Sequence, residues 1–368
     1  MKIAILGPAP PYKGGISQFA LSLAETFLKD GHTVKLFGFE KQYPRLIFPG
    51  KTQTAEFEVD PQLEIINSHI PYLPWTWVKA VKAIKEYAPD ILIISYFLPF
   101  FAPSYIHICK KLPQLRKIAL VHNLLPHERI PGAKTFARLL LTQCQMSVCL
   151  SQTVFDELKS KMPNHIARKA RLGFHPIYDK YLDYKSEGTK REPFTMLFFG
   201  LIKRYKGLDI LLKAVAIAKA ELPQLKLLIA GEVYGADEEY LNLIQELDIE
   251  GNVEPHLQFV PDTDVAVFFQ RASLCVLPYR DATQSGIIAL AYAFGLPVLA
   301  SRLPGMAQYI DENRSGLMVD ANPEPNPEAL AAAIVQYFSM DMYEKMHPQV
   351  IERAQEYTWQ KLAELVLE

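Results

Sequence analysis

Short apolar runs alternate with amphipathic stretches along almost all of this 368-residue chain, and the alternation is played out twice. The first run, "KIAILG", leads into "GGISQFALSLAETFLKDGH". There Ile16, Phe19, Ala20, Leu23, Ala24, Phe27 and Leu28 recur at helical spacing and Gly31 supplies a stop. "TVKLFGF", "ILIIS", "KIALVHN" and "MSVCLS" read as further strands, with helices expected near 75–87, 134–143 and 152–161. Strands that are apolar throughout, separated by helices, predict a parallel sheet covered on both faces.

The pattern breaks at the polar stretch "YLDYKSEGTKREP" (181–193) and then restarts. "FTMLFFG", "LKLLIAG", "VEPHLQFV", "SLCVLP" and "PVLAS" are the predicted strands of the second half. "GLDILLKAVAIAKAEL", "DEEYLNLIQELDI", "DTDVAVFFQRA" and "SGIIALAYAFG" are the helices between them. The expected domains are 1–174 and 175–351, with a C-terminal helix, 352–368, returning to the first. Each is α/β, a doubly wound parallel sheet, which takes ligands at the carboxyl ends of its strands.

Composition narrows the partners. Net charge is −1 with no block of like charge, which argues against nucleic acid; a small anion needs only a few well-placed cations. Cys109, Cys144, Cys149 and Cys275 have no metal-ligand spacing and read as buried free thiols of a reducing compartment. No metal or cofactor is expected. "MKIAILGPAP" is too short for a signal peptide and reads as a first buried strand. The uncharged stretch 91–109 approaches the length of a membrane span, but Pro99 and Pro103 interrupt it, so a strand, a loop and a short helix are expected.

Several strand ends carry candidate chemistry. In "GPAPPYKGGISQ", Gly14 and Gly15 open a helix with bare backbone that an anion can approach, or they simply form a turn. In "FFGLIKRYKGLDILLKA", Lys203, Arg204 and Lys206 crowd a helix start, against the dipole preference; an anion held there explains them, and so does a solvated basic loop. "TQSGIIALAYAFG" offers Ser285, Gly286 and Ile287 at another helix start, and no charged side chain occurs between Asp281 and Arg302. His122 closes "KIALVH" and reads either as a cleft-facing group or as a satisfied structural histidine. His127 and Glu128 follow in the loop, and Glu232 follows "LIAG" as a ligand contact or a turn residue. Trp75, Trp77 and the lysines through Lys85 suit either an anionic membrane surface or a solvated amphipathic helix.

In this order and spacing, "PPYKGGISQ", "DGHTVKLF", "VHN", "FFGLIKRYKGLDILLKA" and "FGLPVLASRLPGMAQYIDENRSGLMVD" resemble the family 4 (group 1) retaining nucleotide-sugar glycosyltransferases of the GT-B fold. The resemblance covers nearly the whole chain. It implies two Rossmann-like domains, an acceptor domain followed by a donor domain. Gly14 and Gly15 would lie against the diphosphate or donor sugar, and Lys206 with Lys203 or Arg204 would neutralise the diphosphate. The amides of Ser285, Gly286 and Ile287 would bind phosphate. His122 would act near the transferred sugar, Glu232 and Gln284 near the nucleotide, and the main chain at Phe259 and Val260 against the base. His127 and Glu128 fall to the acceptor side, and cations with helix N-termini would replace a metal.

Two departures stand out against that family. Its usual arginine after the strand-ending glycine is Leu201 here. Its two glutamates, with seven residues between them, fall on Ala282 and Leu290; Asp281 is beside the first, and Thr283, Gln284 and Ser285 supply neutral polar groups. The expectation is a cytoplasmic enzyme using a nucleotide sugar and a saccharide or lipid-linked acceptor, in cell-surface polysaccharide or glycolipid synthesis. Contact with the inner membrane face is expected through Trp75–Lys85. A non-catalytic nucleotide-sugar-binding relative and a nucleotide-sugar epimerase are the alternatives.

Overall fold

Strands that must be covered on both faces need apolar side chains pointing both ways, and the central strands meet that demand. Ile91–Ile94 and Leu274–Leu277 have essentially no exposed surface. The computed structural model describes residues 1–44, 53–54, 59–126, 130–282 and 285–368. Within it the chain divides into two units, Met1–Phe174 with Trp359–Glu368, and His175–Thr358.

The first unit holds a seven-stranded parallel sheet in the order β3-β2-β1-β4-β5-β6-β7. Its strands are β1 (Lys2–Leu6), β2 (Thr33–Phe39), β3 (Glu64–His69), β4 (Ile91–Tyr96), β5 (Arg116–Val121), β6 (Met146–Cys149) and β7 (Ala170–Leu172). Helices α1 (Gly15–Lys29), α2 (Trp77–Tyr87), α3 (Ala102–Lys111), α4 (Ala133–Thr142), α5 (Gln152–Lys161) and α6 (Asn164–Ala167) connect them. The C-terminal α14 (Trp359–Leu367) packs on α1: Trp359 meets Phe19 edge-on at 5.0 Å, and Gln360 donates to Asp30 at 3.0 Å.

The second unit repeats the plan with six parallel strands, β10-β9-β8-β11-β12-β13. These are β8 (Thr195–Phe199), β9 (Lys226–Ala230), β10 (Val253–His256), β11 (Leu274–Leu277), β12 (Val298–Ser301) and β13 (Gly316–Val319). They alternate with α7 (Leu208–Ala218), α8 (Glu238–Glu246), α9 (Asp262–Arg271), α10 (Gly286–Ala293), α11 (Pro304–Ala307), α12 (Pro327–Ser339) and α13 (Met342–Ala354). In both sheets the strand order reverses beside the first strand of the unit, at β1/β4 and at β8/β11. The carboxyl ends there open a crevice, because the connections on either side leave in opposite directions.

Expectation and structure differ in places. β3, β7 and β13 were not anticipated: β3 carries Glu64, Asn67 and Ser68, and β7 is only three residues long. The run "VEPHLQFV" pairs only as far as His256, which leaves Phe259 and Val260 in the loop before α9. The single helix expected over 352–368 is two elements, since α13 ends at Ala354 and Thr358 is extended before α14 begins. The stretch 91–109 is β4, a short turn and most of α3, and no helix among the described residues is long and apolar enough to cross a membrane. All four cysteines are free and buried.

Candidate functional site

Glycines shape the crevice of the second unit. β8 ends in Gly200, whose φ of +93° disfavours any L side chain. A Cβ there would stand 3.2 Å from Ile287 Cδ1 and 3.3 Å from Lys206 Nζ, so Gly200 lets both close over the strand end. Gly207 (φ +71°) lies so close to β11 that a Cβ would come within 2.1 Å of the Pro278 carbonyl oxygen. Its left-handed turn tucks the segment 203–206 under the end of β11 before α7 starts.

Arg280 fastens that segment. Its backbone N–H donates to the Tyr205 carbonyl at 2.7 Å and its Nη1 to the Arg204 carbonyl at 2.8 Å. The same guanidinium grips Asp209 in the first turn of α7 through two bonds, 2.8 and 2.6 Å, and Glu324 through a third at 2.6 Å. Both charges nearest the uncharged stretch on its N-terminal side thus have assignments: Arg280 is a clamp, and Asp281 is exposed near Tyr205.

The clamp buries Lys206. It is 8% exposed, and its Nζ has no ion-pair or hydrogen-bond partner among the described residues. Its Nζ lies 5.6 Å from the centre of the Tyr279 ring, a cation–π contact. Burial first, and the Lys203 charge second, bring its pKa from 10.5 down to about 8. The three cations of the segment do not converge: Lys203 Nζ lies over the Tyr234 ring at 4.8 Å, and Arg204 is exposed.

α10 begins beside Lys206. Its first N–H groups have no intrahelical acceptor, Ser285 gives no side-chain cap, and no acidic residue occupies the first turn. Ser285 is buried with its hydroxyl near that of Tyr279, whose phenol is held protonated because burial raises its pKa. Neither hydroxyl reaches hydrogen-bond geometry with any described partner. A buried cation, a bare helix start and two buried hydroxyls therefore meet at the β8/β11 crevice, and an anion would satisfy all of them.

The first unit has a plainer version. Gly14 caps α1 at φ +130° without a side-chain bond, and a Cβ at Gly14 or Gly15 would meet no described residue within 4 Å. Ser17, in the first turn, has a buried hydroxyl with no partner among the described residues. Of the two readings open for His122, its surroundings are those of a packed residue: it has no exposed surface, its backbone N–H donates to the Tyr96 carbonyl, and its ring packs edge-on against Phe19 at 4.9 Å. Glu232 is exposed and contributes its carbonyl to Ile202, while Phe259 is 69% exposed. His127, Glu128, Thr283 and Gln284 lie outside the described residues. Ala282 is half-buried and Leu290 is 5% exposed in the packed face of α10. Tyr279 was missed, though its place just after an apolar strand was the available signal; His175 and Tyr178, before the polar break, carried none.

Known proteins bear on this arrangement. The family model for glycosyl transferases group 1 matches residues 180–357, and that for glycosyltransferase family 4 matches residues 13–168. An uncharacterized glycosyltransferase of Haemophilus influenzae is 30% identical over 324 residues, 84% of this chain and 83% of that protein. The chain belongs to the group 1 and family 4 glycosyltransferases. The D-inositol 3-phosphate glycosyltransferase of Paenarthrobacter aurescens is 30% identical over 187 residues, but the match spans only 44% of its length. Among solved structures, sucrose-phosphate synthase of Thermosynechococcus elongatus is 20% identical with a TM-score of 0.70, covering 99% of this chain and 96% of that one. Anabaena HepE in complex with UDP-glucose is 15% identical with a TM-score of 0.73, covering 100% and 98%. These two likenesses establish the fold, two Rossmann-like domains of GT-B type, and this glycosyltransferase shares it.

Proposed function

We propose that this glycosyltransferase moves a sugar, with retention, from a nucleoside-diphosphate sugar to a saccharide or lipid-linked acceptor, without a metal ion. The observation that carries the reading is Lys206, a buried cation without an acidic partner among the described residues, beside the bare N-terminus of α10. The HepE complexes with UDP and UDP-glucose support a nucleoside diphosphate as the anion.

In the proposed reaction the bond from the sugar's anomeric carbon to the β-phosphate oxygen breaks, and negative charge builds on the diphosphate. Lys206 and the first amides of α10, with Lys203 nearby, stabilise that charge in a site already organised to receive it. The acceptor oxygen forms the new bond on the same face, and its proton passes to the departing phosphate oxygen, so no protein base is required. Gly14 and Gly15 give the first unit's backbone an open approach to an anion, and His122 is the residue of that unit proposed to act near the transferred sugar. Asp281 remains the carboxylate near the position where the family's first glutamate falls.

With Ala282 and Leu290 in place of that glutamate pair, donor affinity rests on the diphosphate. A lost charged hydrogen bond to the ribose weakens binding by about 1.5–3 kcal/mol. Calorimetry with UDP, GDP and uridine tests this directly: both diphosphates should bind and uridine should bind far more weakly. Turnover of a nucleotide sugar with a lipid extract as acceptor should survive EDTA. Nucleotide binding without turnover on any donor would favour the non-catalytic reading, and no binding would end the proposal. Peripheral membrane contact is part of the same reading. Trp75 is 73% exposed, with Val78, Lys79, Lys82 and Lys85 also exposed on α2, whereas Trp77 donates to the Ile70 and Pro71 carbonyls.

A further inference from the structure

His175 and Tyr178 open the second unit and reach α10 from far away in the sequence. The His175 backbone N–H donates to Tyr309 Oη at 2.8 Å, which ties the segment to the residues just after α11. The His175 ring approaches the Pro176 carbonyl through Nδ1 at 3.5 Å. A carbonyl only accepts, so Nδ1 carries the proton and Nε2 presents its lone pair. Burial lowers the ring's pKa to about 4, so the imidazole stays neutral at ordinary pH. Tyr178 Oη therefore donates to His175 Nε2, at a long 3.3 Å. Burial raises the Tyr178 pKa, which keeps the phenol protonated and able to donate.

The same phenol lies on the first turn of α10. A Cβ at position 286 would stand 3.3 Å from Tyr178 Cε2 and 3.4 Å from Tyr178 Oη. That spacing is tight for a methyl group, so glycine at 286 lets the ring rest against the helix start. A hydroxyl donor is thereby held beside the first residue of α10, on a histidine bond long enough to be exchanged for a better acceptor.

We infer that Tyr178 is a further donor-binding residue: its hydroxyl leaves His175 Nε2 and donates to a diphosphate oxygen at the N-terminus of α10. The inference rests on the donor-site reading above. An O–H···O⁻ bond is shorter and stronger than the neutral contact it replaces, and Tyr178 supplies a neutral donor where a further cation would raise the burial cost already seen at Lys206. His175 acts as a positioning residue, since its fixed tautomer holds the phenol ready.

The test is Y178F, which keeps the ring and removes the hydroxyl, with calorimetry against UDP, inorganic pyrophosphate and uridine. UDP and pyrophosphate should each bind about tenfold more weakly than to the unaltered protein, and uridine equally well, as expected for one charge-assisted hydrogen bond. Thermal unfolding without ligand separates a packing role: the midpoint should stay within about a degree. Unchanged diphosphate affinity, or an equal loss for uridine, overturns the inference while leaving the donor site standing. If the unaltered protein binds neither UDP nor GDP, the donor-site reading falls and Tyr178 falls with it.

Discussion

Lys206→Met isolates the tension at the centre of the proposed donor cradle. Methionine keeps most of the lysine stem's volume and removes the charge. A lysine held at about 8 instead of 10.5 is destabilised in its charged form by about 3 kcal/mol. The folded state binds fewer protons than the unfolded chain between those two values. The penalty is therefore full below pH 8 and shrinks as pH rises toward 10.5. The variant should accordingly be more stable than the parent at pH 7, by up to about 3 kcal/mol, with the cation–π contact to Tyr279 reducing the gain. The difference should narrow steadily above pH 8. Binding should move the other way: losing a buried charge-assisted partner weakens UDP by about 10- to 100-fold. In the parent, UDP affinity should be flat below pH 7.5 and fall above pH 8, because the lysine must be charged to hold the diphosphate. Denaturant titration of both proteins at pH 7 and pH 9.5, with calorimetry against UDP, supplies every quantity. A variant that is less stable at pH 7 and binds UDP undiminished would refute both the burial argument and the diphosphate assignment.

The other predictions concern the frame and the surface. Gly207→Ala forces a Cβ to within 2.1 Å of the Pro278 carbonyl oxygen at a left-handed φ, and should cost at least about 2–3 kcal/mol by denaturant titration. Arg280→Ala removes the bonds that fix Asp209, Glu324 and the Arg204 carbonyl; it should cost about 1–3 kcal/mol and weaken UDP by loosening the segment that carries Lys206. Preserved UDP affinity in that variant would show that the clamp is irrelevant to the cradle. Trp75→Ser should leave thermal stability unchanged, because the ring is exposed, and should reduce sedimentation with anionic liposomes at low salt. Equal sedimentation of both proteins would remove α2 from the membrane reading.

Much of the fold was legible in the chain because its central strands are buried on both faces. "ILIIS" and "SLCVLP" leave no doubt about where a strand must run, and the glycines after "KIAIL", "TMLFF" and "KLLIA" mark where each must stop. The edges were less readable. β3 mixes polar residues into its run, and β7 and β13 are held by one neighbouring strand each, so pairing rather than composition defines them. Position in the cradle was the least legible property of all. Lys203, Arg204 and Lys206 look alike in sequence, yet only Lys206 is buried.

The sequence alone determined two parallel α/β units, the polar break near 181–193, the uncharged start of α10 and the lack of carboxylates at positions 282 and 290. Those features depend on local pattern: apolar period, turn chemistry and residue identity. Tertiary structure alone decided that Gly207 presses the basic segment under β11, that Arg280 is a clamp, and that His122 is packed behind Phe19. It also brought Tyr178 onto Gly286. Each of those depends on contacts between residues distant in the chain, which only the closed packing of helices on the sheet creates.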